Sequence, residues 1–125
     1  MKPLPTDAEL QILQALWKRG PSTVREVHDE MGSSTAYTTA LKTMQIMTEK
    51  GLVARDESQR SHVYRPLVQA GPTQRRLVSE LVDKAFAGSA VQLAIRALST
   101  ARPSRDELAE VRKLLETWDD GEPKR

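Results

Sequence analysis

Cysteine is absent from all 125 residues. No disulfide can form, and thiolate-ligated zinc and iron–sulfur sites are excluded. The two histidines, His28 and His62, stand at no metal-ligand spacing, so no metal site and no cofactor is expected. No run of about 18 apolar residues occurs, so no membrane-spanning helix and no membrane insertion is expected. The start Met1-Lys2-Pro3-Leu4-Pro5 lacks an apolar stretch of signal-peptide length. A cytoplasmic location is the expectation. A catalytic constellation is also missing: no nucleophile–base pair, no phosphate loop and no paired carboxylates on one face. An enzyme is therefore not expected. Charge of one sign is missing too, since 19 Lys/Arg stand against 17 Asp/Glu, a net +2. Residues 1–71 hold 9 basic and 8 acidic side chains, and residues 72–125 hold 10 and 9. Neither part is a polycation, so any nucleic-acid contact must rest on a few well-placed cations.

Helix-start signals organise what is present. Thr6-Asp-Ala-Glu9 is a capping-box pattern opening a first helix with Leu10, Leu13, Leu16 and Trp17 at helical spacing. Gly20-Pro21 ends it. Thr23-Val-Arg-Glu26 is a second such box, with Val24, Val27 and Met31 inward and Gly32 at the close. Ser33 or Ser34 is expected to cap a third helix reaching about Lys50, with Tyr37, Ala40, Leu41, Met44 and Met47 buried. Gly51 suits the left-handed position just past a helix end. Leu52–Glu57 and His62–Pro66 read as two strands around a turn at residues 58–61, the second stopped by Pro66. Three helices followed by a hairpin make a mainly α winged helix-turn-helix.

A boundary is expected at Ala70-Gly71-Pro72, giving a winged-helix domain at 1–70. Beyond it, residues 71–118 carry three amphipathic helical patterns, and 119–125 form a tail expected to fray. The first pattern, residues 73–87, holds Leu77, Leu81 and Phe86. The second, recapped by Ser89, holds Ile95 and Leu98. The third opens with the capping box Ser104-Arg-Asp-Glu107 and holds Leu108, Val111, Leu115 and Trp118. Three short helices with one stripe each make a poor core alone and a good one in duplicate. A three-helix dimerisation lobe in a homodimer is the expectation. Trp17 and Trp118 read as core or interface anchors.

The outward side of the third helix offers Ser34, Thr35, Thr38, Thr39, Lys42 and Gln45. Small hydroxyls, a lysine and an amide can reach base edges in a DNA major groove, and threonine methyls can meet thymine methyls. Ser34 and Thr35, at the expected helix start, could bind phosphate through backbone N–H groups. A plain solvated face is the alternative, although three threonines do not favour a helix. Arg60 at the hairpin tip points to phosphate or a minor groove; charge protection of an edge strand is its alternative. Arg55 has the weaker case, and Arg25 and His28 read as surface positions on the second helix. Double-stranded DNA is the expected partner. A winged helix used only to bind another protein is the rival, which the near-neutral charge favours.

Taken together, Thr6-Asp-Ala-Glu-Leu-Gln-Ile-Leu-Gln-Ala-Leu-Trp17, Thr23-Val-Arg-Glu-Val27, Ala36-Tyr-Thr-Thr39, Glu49-Lys-Gly-Leu-Val53 and Tyr64-Arg-Pro66 resemble the penicillinase-repressor (BlaI/MecI) family. The resemblance is strongest over residues 6–66. It implies a homodimeric winged-helix repressor of transcription on a palindromic operator, with Thr38, Thr39 and Lys42 on the base-reading face. It also implies a membrane sensor-protease as partner in antibiotic-responsive members, which cuts an Asn–Phe bond. The matching stretch here, Ile95-Arg96-Ala97-Leu98, has no such bond. The cysteine-rich tail of the copper-responsive branch is absent, and Ile46 stands where many members carry arginine.

Overall fold

The computed structural model describes residues 2–32 and 35–119. Each of the three capping boxes forms the bonds its spacing implies. Helix α1 (Asp7–Arg19) begins where the Thr6 hydroxyl accepts from the Glu9 N–H at 3.2 Å and the Glu9 carboxylate accepts from the Thr6 N–H at 2.9 Å. Helix α2 (Val24–Met31) repeats this with Thr23 and Glu26, and α6 (Arg105–Trp118) with Ser104 and Glu107. Helix α5 (Ala90–Thr100) is capped by Ser89. Each such cap contributes about 1 kcal/mol.

Helix α3 (Tyr37–Lys50) differs from expectation at its start. It begins at Tyr37, not at Ser33 or Ser34, which lie outside the described residues. Ala36 is the N-cap and offers no side-chain bond. Thr35 therefore precedes the helix. Its carbonyl accepts a 2.6 Å bond from His28 Nε2–H, which holds the approach to α3 against α2. At the other end Gly51 takes φ 82° and ψ 17°, a left-handed conformation that favours glycine. Gly51 N–H bonds the Thr48 carbonyl and Leu52 N–H bonds the Met47 carbonyl. That pairing closes the helix and turns the chain directly into β1 (Val53–Asp56).

Strands β1 and β2 (Val63–Pro66) pair antiparallel, with Val53 opposite Pro66 and Asp56 opposite Val63. They are shorter than expected, and the turn between them is correspondingly longer. Ser22 and Tyr64 add a bridge, exchanging both backbone bonds at 2.8–2.9 Å. The loop between α1 and α2 is thereby stitched to the hairpin. One core holds these elements: Ile12, Leu13 and Leu16 of α1, Val24 and Val27 of α2, Ala40, Met44 and Met47 of α3, then Leu52, Val53 and Tyr64. Trp17 packs on its margin and donates its indole N–H to the Val68 carbonyl at 2.9 Å.

Helix α4 (Ala70–Ala85) starts before the expected Thr73 and stops before Ala87. Pro72 lies within its first turn, where a missing N–H costs nothing because that group has no partner inside the helix. The chain divides into two compact units, Met1–Glu80 and Leu81–Arg125, with the division inside α4. In the second unit α5 and α6 contain no buried residue. Among the described residues no helix is long and apolar enough to cross a membrane.

One ion pair fixes the end of α3. Glu9 Oε2 lies 2.6 Å from Lys50 Nζ while its Oε1 still serves the cap of α1. The Glu9 side chain is almost wholly buried and that of Lys50 is about one-third exposed. Burial raises the Glu9 pKa, but the hydrogen bond and charge of Lys50, with the bonds from Thr6, outweigh it and hold the carboxyl below its ordinary value. Its stabilising contribution is then fully present above the ordinary glutamate value of 4.5 and lost as pH falls through the lower folded value. Glu9→Gln keeps the cap and removes the charge. Chemical denaturation should show a loss of about 1 kcal/mol at neutral pH, discounted for the exposed lysine. The gap between the two proteins should narrow below pH 4.5; a gap independent of pH would contradict the assignment.

Candidate nucleic-acid interface

The two sides of α3 are unlike. Ala40, Met44 and Met47 are buried, whereas Thr38, Thr39, Lys42, Gln45, Ile46 and Glu49 are exposed. The expected outward residues Thr38, Thr39, Lys42 and Gln45 thus share one solvent-facing side, as the 3.6-residue repeat requires. Thr43, a further threonine of α3, is half-buried, and its hydroxyl bonds back to the Thr39 carbonyl at 2.8 Å and is spent within α3. Among the described residues, Lys42, Gln45 and the Thr38 and Thr39 hydroxyls have no hydrogen-bond or ion-pair partner in the chain. Thr35 is half-buried beside His28 and precedes this face, while Ser34 lies outside the described residues.

Tyr37 corrects the expected core. It is 36% exposed and Leu41 is only half-buried. At the first helical position its ring turns toward α2 instead of the interior. The Arg25 guanidinium sits 5.1 Å from the Tyr37 ring centre, and the His28 ring meets it edge-on at 5.8 Å. Such contacts favour a cation above the ring face. Arg25, read from sequence as plain surface, is therefore held in place at the α2–α3 corner.

This corner opens into a groove of about 450 Å³ between α2, α3 and the hairpin. Thr23, Arg25, Tyr37, Arg60, Ser61 and His62 line it over a floor of Val24, Leu41 and Tyr64. The lining carries two arginines and a histidine and no acid. Acids near the hairpin turn are already engaged. Glu57 pairs with Arg55 at 2.6 Å, and Asp56 accepts the Ser58 N–H at 2.9 Å. The Ser58 bonds, and then the charge of Arg65, hold the Asp56 carboxyl below its usual range. Arg60 is exposed and has no partner among the described residues. Arg55 is thus occupied and Arg60 free. Sequence spacing gave no sign of the Arg25–Tyr37 contact, because it joins two helices through the turn between them.

A family model described as penicillinase repressor matches residues 5–117. No individual curated protein matches. Among solved structures, a MarR family transcriptional regulator from Silicibacter pomeroyi is 21% identical with a TM-score of 0.50, covering 94% of this chain and 70% of its own. A transcriptional regulator from Thermotoga maritima is 17% identical with a TM-score of 0.47, covering 95% of this chain and 80% of its own. The first of these likenesses supports the winged-helix fold.

The contrast between the two sides of α3 has a direct consequence for stability. Lys42→Ala should leave the unfolding free energy within about 0.5 kcal/mol. Met44→Ala, which empties a fully buried site, should cost about 2–5 kcal/mol. Denaturant titration of both variants checks this, and a costly Lys42→Ala would show that the polar side is structural.

Proposed function

The chain belongs to the penicillinase repressor family, a family of transcriptional regulators and not of enzymes, and on that premise we propose that it is a homodimeric repressor that binds a palindromic operator through α3. The carrying observation is the unpartnered polar side of α3, set against a fully packed opposite side. In this reading Lys42 and Gln45 address base edges, and Thr38 and Thr39 offer hydroxyls and methyls to the same groove. Arg25 and Arg60 hold the sugar–phosphate backbone where it crosses the basic groove between α2, α3 and the hairpin. Among the described residues the first turn of α3 has no side-chain cap, and in this reading its N–H groups bind a phosphate. Thr35 contributes its position rather than its carbonyl, which His28 already occupies.

Residues 1–70 supply the DNA-binding part and residues 71–118 the dimerisation part. Exposed apolar side chains support the second assignment. Val91, Ile95 and Leu98 of α5 and Leu114, Leu115 and Trp118 of α6 are each between 39% and 65% exposed. Leu81 is exposed as well, while Leu77, Phe86, Leu108 and Val111 are half-buried. Complete burial of one such side chain contributes about 1.5–3 kcal/mol, so a second copy of these helices supplies the core that one copy lacks. Dimer symmetry would place two half-sites about 34–36 Å apart or at a multiple of that spacing. With no Asn–Phe bond in Ile95-Arg96-Ala97-Leu98, control by a sensor-protease has no support here.

Affinity for a duplex selected from random DNA, titrated between 50 and 200 mM salt, tests DNA binding. A steep fall with salt is expected, with a slope of about −0.9 per neutralised phosphate. Lys42→Ala should weaken binding and relax base preference. A complete lack of DNA affinity at low salt would favour a protein-interaction module instead. The double variant Ile95→Glu/Leu98→Glu should sediment as a monomer and lose about 100-fold or more in operator affinity; dimers that persist would contradict the assigned interface.

A further inference from the structure

One large apolar side chain interrupts the polar side of α3. Ile46 is 39% exposed, although the buried positions of the same helix are filled by Ala40, Met44 and Met47. It is not a core residue displaced outward, because its place in the helical repeat is opposite the core. It lies one turn beyond Lys42 and two turns beyond Thr39, on the side those residues share. A β-branched side chain in a helix is nearly confined to one χ1 rotamer, so its methyl groups are held at a defined place.

Ile46 can neither donate nor accept a hydrogen bond. Against a guanine, an adenine or a cytosine edge it would leave a polar group dehydrated and unpaired. The one apolar group that a base pair shows in the major groove is the C5-methyl of thymine. We propose that Ile46 is a specificity-determining residue that packs on a thymine C5-methyl in each half-site, beside the base pair addressed by Lys42. The inference rests on the reading that α3 enters the major groove. It adds one element to that reading, a base recognised by apolar contact where Lys42 and Gln45 use polar groups.

The test begins with a duplex selected from random DNA by the full-length protein. Each thymine is then replaced in turn by deoxyuridine, which removes only the C5-methyl. Affinity is read by fluorescence anisotropy at fixed salt. One symmetry-related thymine pair should lose about three- to five-fold per half-site on replacement, the value of one buried methyl. Ile46→Ala should bind both duplexes equally at that position, and Ile46→Val should keep most of the discrimination. Sensitivity to deoxyuridine that survives in Ile46→Ala, or that Thr39→Ser abolishes instead, would overturn the proposal. So would a wild-type protein indifferent to every replacement. Failure of the selection to enrich any sequence would instead overturn the underlying assignment of specific DNA binding, so the two failures are distinct.

Discussion

Burial of one side of α3 is the constraint on which the winged helix depends. Met44 and Met47 have essentially no solvent exposure, and they share a core with Leu13, Leu16, Val27, Leu52 and Tyr64. A helix held by one face must present the other. Its rotation is set by that packing, its C-terminal end by Gly51 and the Glu9–Lys50 pair, and its approach by the His28 bond to Thr35. Methionine is well suited to filling a core between three helices and a hairpin, because its unbranched chain adapts to irregular gaps. In the proposed reading such anchoring gives pre-organisation: polar side chains on a fixed helix need little ordering when a duplex arrives.

Much of this was legible from the chain itself. Capping boxes are local, so Thr6–Glu9, Thr23–Glu26 and Ser104–Glu107 could be read from four-residue windows. The left-handed turn at Gly51 and the order of three helices and a hairpin were equally local. The outward residues of α3 followed from periodicity. Tyr37 was misjudged because hydrophobic spacing assigns a first-turn aromatic to the core, while its ring finds a cation and an imidazole on α2. Contacts across long separations left no trace in the pattern. Glu9 and Lys50 are 41 residues apart, and Ser22 pairs with Tyr64 across two helices and a strand. Pro72 reads as a helix break, whereas α4 carries it within its first turn.

The two compact units differ in how they satisfy hydrophobic burial. The first closes a core with its own three helices and hairpin. The second has amphipathic helices with well-made caps and almost no interior, since Val82 is its one buried apolar side chain among the described residues. Helix caps and propensity can define such segments locally, but packing must provide most of the stability of a short helix. In the proposed homodimer, folding of the second unit is coupled to the presence of a partner surface, and that coupling links the concentration of the protein to occupancy of two half-sites.

The absence of cysteine makes a direct test of the central claim simple, because one introduced thiol is the only reactive one. Gln45→Cys, labelled with a photoactivated aryl azide, would be irradiated on the selected duplex, with Gln14→Cys of α1 as the outward-facing control. The account predicts crosslinks from position 45 to bases of both half-sites and none above background from position 14. Equal labelling from the two positions, or no base crosslinks from α3, would contradict it.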